Sequence, residues 1–209
     1  DMAVASKNQQ YEKAALLRDQ VSSLERIIEH SFLLPADKLV PLRSKPDYHA
    51  TERELRNILK SKKRVSRVEA YDISNIQGYQ STGSMVVFVE GKPAKQHYRK
   101  FKIKITGKPN DFAMMRELIA RRLSHPEWEY PDLMLIDGGK GQLSSAMEAI
   151  SEQKQLGKFK VVALAKRNNE LFFPNNPEPV LLKDMGTGLE HMLLHIRDEA
   201  HRFAIEFYR

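Results

Sequence analysis

Residues 131–143 read Pro-Asp-Leu-Met-Leu-Ile-Asp-Gly-Gly-Lys-Gly-Gln-Leu. The uninterrupted apolar run Leu133–Ile136 suits a short strand buried on both faces. It leads directly into Asp137 and the turn-forming pair Gly138-Gly139, and Lys140–Gln153 then reads as a helix. Strand, tight turn and helix in that order are the repeating unit of an α/β sheet, so the rest of the chain is read for more of the same.

Val161–Ala165 on the downstream side is a second buried strand, followed by a polar, Pro- and Asn-rich excursion through residues 167–183. The last helix begins near Thr187 and runs to about Phe207, with Leu189, Met192, Leu193, Ile196, Ala200, Phe203 and Phe207 at helical spacing. Upstream, Val68–Ile73 is a strand ending near Asp72, and the apolar run Ser84–Val89 is another. In a third strand Phe101, Ile103 and Ile105 alternate with Lys100, Lys102 and Lys104, which puts apolar residues on one face and lysines on the other. A helix from about Asn110 to Ser124 carries Asp111 in its first turn, where a negative charge complements the helix dipole. Three antiparallel strands followed by alternating helices and strands predict an α/β fold, a ribonuclease H-like mixed sheet flanked by helices over residues 67–209.

Two smaller segments precede it. Residues 1–34 read as a helical hairpin, with Leu17, Val21, Leu24 and Ile28 on one helical face and a break near Asn8. Such a stripe needs a cover, either the rest of this chain or another protein's helices. Residues 35–66 read as a linker with Pro35, Pro41 and Pro46 and one short helix, for which Thr51-x-x-Glu54 is a capping-box pattern. Lys60, Lys62, Lys63, Arg64 and Arg67 then form a basic run.

Composition narrows the chemistry. The 34 Lys and Arg against 27 Asp and Glu leave a net charge of +7, which favours a polyanionic partner. With no cysteine, disulfides, thiolate zinc sites, iron–sulfur clusters and cysteine nucleophiles are excluded. No apolar run approaches the roughly 20 residues of a membrane helix, and no signal peptide is present. The chain starts at Asp1 and reads as a piece of a longer cytoplasmic polypeptide.

Asp72 and Asp137 each end a strand that is otherwise largely apolar. Either acid alone reads as a turn or helix cap, but two buried carboxylates on neighbouring strands repel each other unless a cation sits between them. Mg²⁺ or Mn²⁺, hard ions that take oxygen ligands, would fill that role. The segment GGKGQLS lacks phosphate-loop spacing, although Lys140 at a helix start is placed for an anion and the glycines would let backbone approach a phosphate. His191 and His195 are four apart without the HExxH pattern, so a zinc pair is not favoured. The significance of His201 depends on whether the last helix crosses the sheet beside the two aspartates.

The strings YDISNIQG (71–78), NDFAMMRELIARRL (110–123), PDLMLIDGGKGQL (131–143) and IRDEAHRFAI (196–205) resemble, in order and spacing, the C-terminal endonuclease domain of the UvrC family of excinuclease proteins. The stretch YEKAALLRDQVSSLE (11–25) is similar to that family's UVR motif, a hairpin that pairs with a matching hairpin on UvrB. The resemblance implies a ribonuclease H-like DNA endonuclease that makes the 5′ incision beside a lesion in bacterial nucleotide excision repair. It implies Asp72, Asp137 and His201 as the catalytic and metal-binding set, Asp111 as a further acidic position, and Lys140, Lys166, Arg197 and Glu199 as secondary positions. Double-stranded DNA containing a lesion and UvrB are the implied partners. Lys100, Lys102, Lys104, Lys140, Lys166 and Arg197, with the basic run, would hold phosphates without reading bases. Two competing readings are a catalytically silent DNA-binding scaffold and another ribonuclease H-like nuclease such as a junction resolvase.

Overall fold

The structure is a computed structural model and describes residues 47–74, 81–104 and 111–205. The chain divides into two units, Asp1–Lys45 and Pro46–Arg209. The hairpin expected over residues 1–34 and residues 35–46 of the expected linker lie outside the described residues, as do Ile105 and Phe207.

The second unit opens with α1 (Tyr48–Ile58). Its N-cap is Asp47, whose side chain accepts from the His49 backbone N–H at 3.0 Å. The helix therefore starts a turn before the Thr51-x-x-Glu54 pattern expected to cap it; Thr51 and Glu52 are buried within the helix instead. The cause is local, because an aspartate directly after Pro46 satisfies the first free N–H groups before Thr51 is reached. Leu55 and Leu59 anchor this segment in the main core.

The described strands are β1 (Arg67–Ser74), β2 (Thr82–Val89), β3 (Lys92–Pro93), β4 (Arg99–Lys102), β5 (Leu133–Asp137), β6 (Lys160–Ala165), β7 (Glu170–Phe173) and β8 (Asn176–Leu181). They form one sheet in the order β3-β2-β1-β5-β6-β7-β8, with β4 also paired to β2. The central pairs β1–β5 and β5–β6 are parallel; the others are antiparallel. The remaining helices are α2 (Asp111–Leu123), α3 (Lys140–Glu152) and α4 (Thr187–Ile205). α4 packs on β1, β2 and β5, whereas α2 packs on β1 and β2 and α3 on β5 and β6. This is the mixed sheet flanked by helices that the sequence pattern predicts.

One stretch differs. The excursion expected at residues 167–183 holds the hairpin β7–β8, which extends the sheet antiparallel to β6. Pro174 and Asn175 make the turn, and Pro177 and Pro179 are tolerated because β8 lies at the edge, where a missing N–H leaves no partner unsatisfied. Proline content hid the strand in the sequence. The lysine alternation at β4 holds within the described residues: Phe101 and Ile103 are buried, while Lys102 and Lys104 are exposed.

Side-chain parity on β1 sets up the two faces of the sheet. Glu69 and Tyr71 point to α2, where Arg122 donates to both Glu69 oxygens at 2.9 and 3.0 Å and Tyr71 donates to the same carboxylate. Asp72, of the opposite parity, points to α4. The Glu69–Arg122 pair is fully buried. Arg67 belongs to this group as well, 3.3 Å from Glu69, so it is a buried structural cation and not part of the exposed basic run expected from the sequence.

Candidate metal centre

Two adjacent parallel strands deliver the two acids. Tyr71 on β1 is in register with Ile136 on β5, so the next residue along each strand is an aspartate. Both strands are central and covered on both faces, β5 by apolar side chains alone and β1 with the Arg67–Glu69–Arg122 cluster on its other face; the acids stand near their C-terminal ends. The third group comes from the last helix. His201 Nδ1 lies 2.8 Å from Asp72 Oδ2, and since a carboxylate only accepts, Nδ1 carries the proton and donates. Ser84 fixes this crossing: it pairs with Asp72 across β1–β2 and its hydroxyl donates to the carbonyl of Ala200, the residue before His201, at 3.1 Å.

Asp72, Asp137 and His201 each offer one ligand atom within 4.8 Å of the others. The Asp72 side chain is 8% exposed and that of Asp137 is 5% exposed. Burial, and then the nearby charge of Asp72, push the Asp137 carboxyl up to about 6. The hydrogen bond to Asp72 pushes the His201 imidazole above its ordinary value. Lys166, just past the end of β6, lies with Nζ 3.1 Å from Asp137 Oδ2. Apart from that ammonium, Asp137 Oδ2 is a buried oxygen with no polar partner. A buried carboxylate oxygen partnered only by a half-exposed ammonium, beside a second carboxylate and an imidazole, fits a divalent cation that prefers oxygen ligands.

The cleft over the acids has a volume of about 340 Å³, and Asp111, Gln142, Lys166 and Arg167 line it with Asp72 and Asp137. The glycine turn shapes its rim. Gly138 has φ +153°, and a Cβ there would meet Gln142 Cγ at 2.8 Å. Gln142 Oε1 accepts from the Gly139 N–H at 3.1 Å, holding the start of α3. Gly141, by contrast, faces protein where the sequence suggested a phosphate: a Cβ there would collide with the Phe112 ring, so this glycine admits α2 against α3.

A family model described as the UvrC RNase H endonuclease domain matches residues 56–205, and one described as the UvrB/uvrC motif matches residues 1–27. The chain belongs to the UvrC RNase H endonuclease domain family. UvrABC system protein C of Gloeobacter violaceus is 50% identical over 151 residues, a match covering 68% of this chain and 24% of the relative. The protein of the same name from Methanothermobacter thermautotrophicus is 48% identical over 157 residues, covering 75% and 26%. This UvrC-family chain thus spans about a quarter of the length of these curated relatives. Among solved structures, Ciona intestinalis Endonuclease V in complex with a 24mer DNA containing an inosine followed by a ribo-adenosine is 20% identical, with a TM-score of 0.37 over 57% of this chain and 56% of that one.

The other residues expected at the site from the sequence fall in distinct places. Asp111, first residue of α2, reaches the same cleft as the acids. Lys140 is exposed at the start of α3. Arg197, one turn before His201 on α4, donates to Asn169 at 2.7 Å and pairs with Asp198. Glu199 accepts from Tyr98 and Arg202, which hold its carboxyl below the usual range. Lys100 lies 4.5 Å from the centroid of the Phe203 ring. The rest of the basic run precedes the N-terminal end of β1, which lies about 17 Å from Asp72 at roughly 3.3 Å per strand residue. There Lys60, Lys62, Lys63 and Arg64 line a groove of about 790 Å³ with Lys158 and Lys160. His191 and His195 form no metal cluster among the described residues; His195 packs edge-on to Phe88.

Sequence reasoning missed Ser84, Gln142 and Arg167. Gln142 had a signal, since Gln three residues after a helix N-cap commonly reaches back to it. Ser84 had a weaker one: a hydroxyl directly before the apolar run 85–89.

Proposed function

We propose that this chain is the core of a metal-dependent DNA endonuclease that makes the 5′ incision beside lesions in bacterial nucleotide excision repair. The observation that carries the reading is the meeting of Asp72, Asp137 and His201 within 4.8 Å at the ends of two central parallel strands, in a UvrC-family chain. The domain reading goes with it: residues 1–34 as a UVR hairpin contacting UvrB, 35–66 as a connecting segment and 67–209 as the nuclease, at work in the cytoplasm. The UvrB/uvrC motif match at residues 1–27 supports the hairpin's partner. Among the described residues no helix is long and apolar enough to cross a membrane.

Asp72, Asp137 and His201 would hold Mg²⁺ or Mn²⁺. When bound, such an ion polarises a phosphoryl oxygen and lowers the pKa of a water. The chain's own contribution is geometric and electrostatic. The parallel register fixes the spacing of the carboxylates, and Ser84 fixes the height of α4. His201 orients Asp72 through the proton on Nδ1, which leaves Nε2 with the lone pair in the neutral ring. A histidine in place of a third carboxylate makes the site less negative, easing approach of a phosphodiester. Asp111, which lines the same cleft, adds a further carboxylate that can hold a water. Lys100, Lys102, Lys104, Lys140, Lys166 and Arg197 would bind backbone phosphates, giving affinity that falls steeply with salt.

The test is incision of a lesion-bearing duplex in the presence of the partner repair proteins. Asp72→Ala, Asp137→Ala and His201→Ala should each abolish the 5′ cut while a circular-dichroism melt stays cooperative. Wild-type 5′ incision by Asp137→Ala would refute the assignment.

A further inference from the structure

Lys166 stands out within the site because its ammonium touches two of the three ligand residues. Nζ is 3.1 Å from Asp137 Oδ2 and 3.2 Å from His201 Nδ1. The second contact cannot be a hydrogen bond while Nδ1 keeps its proton for Asp72, so the ammonium is held there by Asp137 and the local field. Its location follows from the sheet: Asp137 is in register with Leu164 on β6, and Lys166 follows two residues later, where that strand ends. The Lys166 side chain is half exposed, in contrast to the buried acids, so it has room to leave.

We propose that Lys166 is a resident counter-ion, occupying the cation position in the ion-free protein and giving way when a divalent ion binds. The inference rests on the metal reading of the site and deepens it. Without a positive charge, two buried carboxylates side by side repel strongly. An ammonium on a flexible four-carbon stem neutralises them cheaply and can swing away, which a planar, multiply bonded guanidinium does less readily. Ion binding is then an exchange, and its apparent affinity is lowered by the work of dislodging Lys166. Once displaced toward the open side of the cleft, the ammonium is free for a phosphate oxygen of the substrate. The same side chain thus serves the empty site and then the loaded one.

Mn²⁺ binding to the full chain, followed by electron paramagnetic resonance of the free ion and by calorimetry without DNA, tests this apart from activity. Lys166→Met should bind Mn²⁺ at least about tenfold more tightly than wild type, because one positive charge next to the ion is gone. Lys166→Arg, which keeps the charge and leaves less readily, should bind Mn²⁺ no more tightly than wild type. Lys166→Gln serves as a second neutral variant should the methionine variant not fold. Unchanged or weaker Mn²⁺ binding by folded neutral variants overturns the counter-ion proposal while leaving the metal reading intact. A wild-type isotherm that survives Asp137→Asn overturns the metal reading itself, and the proposal with it.

Discussion

Replacing Asp137 by asparagine should make the ion-free protein more stable. The folded structure holds this carboxyl at about 6, against about 3.9 for an aspartate in an unfolded chain. Proton linkage fixes the sign. Between those values the native state binds more protons than the unfolded state, so stability falls as pH rises through the window. Above about pH 6 the full cost is present, about 3 kcal/mol from the gap of roughly two pKa units. Lys166 is already counted in that net value, and the acid is too buried for solvent to screen it much. The asparagine side chain would keep the shape and lose the charge. For a unit of this size the gain corresponds to an increase in Tm of roughly 6–12 °C. The assay is thermal unfolding in excess chelator at about pH 8 and about pH 4.5. The variant should melt well above wild type at the higher pH, and the gap should shrink at the lower, where Asp137 is largely protonated in the native state. Adding Mn²⁺ should raise the wild-type Tm and leave the variant's nearly unmoved. Equal or lower stability of Asp137→Asn at pH 8 would refute the claim that the acid pair is held together at a cost.

Three further outcomes concern other parts of the structure. Arg122→Met leaves the buried Glu69 carboxylate with only Tyr71 and Arg67 as partners and should cost about 3–5 kcal/mol, as denaturant titration would show. Ser84→Ala removes the hydroxyl that ties α4 to the sheet; it should cost about 1 kcal/mol by the same measurement and raise the Mn²⁺ concentration for half-maximal incision several-fold. Changing Lys102 and Lys104 together to glutamine should weaken duplex binding at low salt and lower the slope of log affinity against log salt by roughly 2, as fluorescence anisotropy across a salt series would show.

The elements nearest the site were the most legible in the sequence. Continuous apolar runs at Leu133–Ile136 and Val161–Ala165 can only be buried strands or short buried helices; their shortness and, for the first, the Asp137-Gly138-Gly139 that follows decided for strands. The β7–β8 hairpin was not legible because β8, at the sheet edge, tolerates proline and asparagine that read as loop by composition, and β7 before it is only four residues long. The cap of α1 was misplaced because two capping patterns competed and only geometry selects one.

Period and composition determined that the chain makes an α/β sheet, that two acids end central strands, and that the surface is basic. What they left open was proximity. Residues 72, 137 and 201 meet because strand register aligns two of them and the seating of α4 on Ser84 delivers the third. The placement of Lys166 between Asp137 and His201, and the withdrawal of Arg67 into a buried ion cluster, are likewise decided by packing. Local patterns encode which face a residue shows; distances between remote groups depend on how the layers seat against one another, and a linear chain carries that only through its folded form.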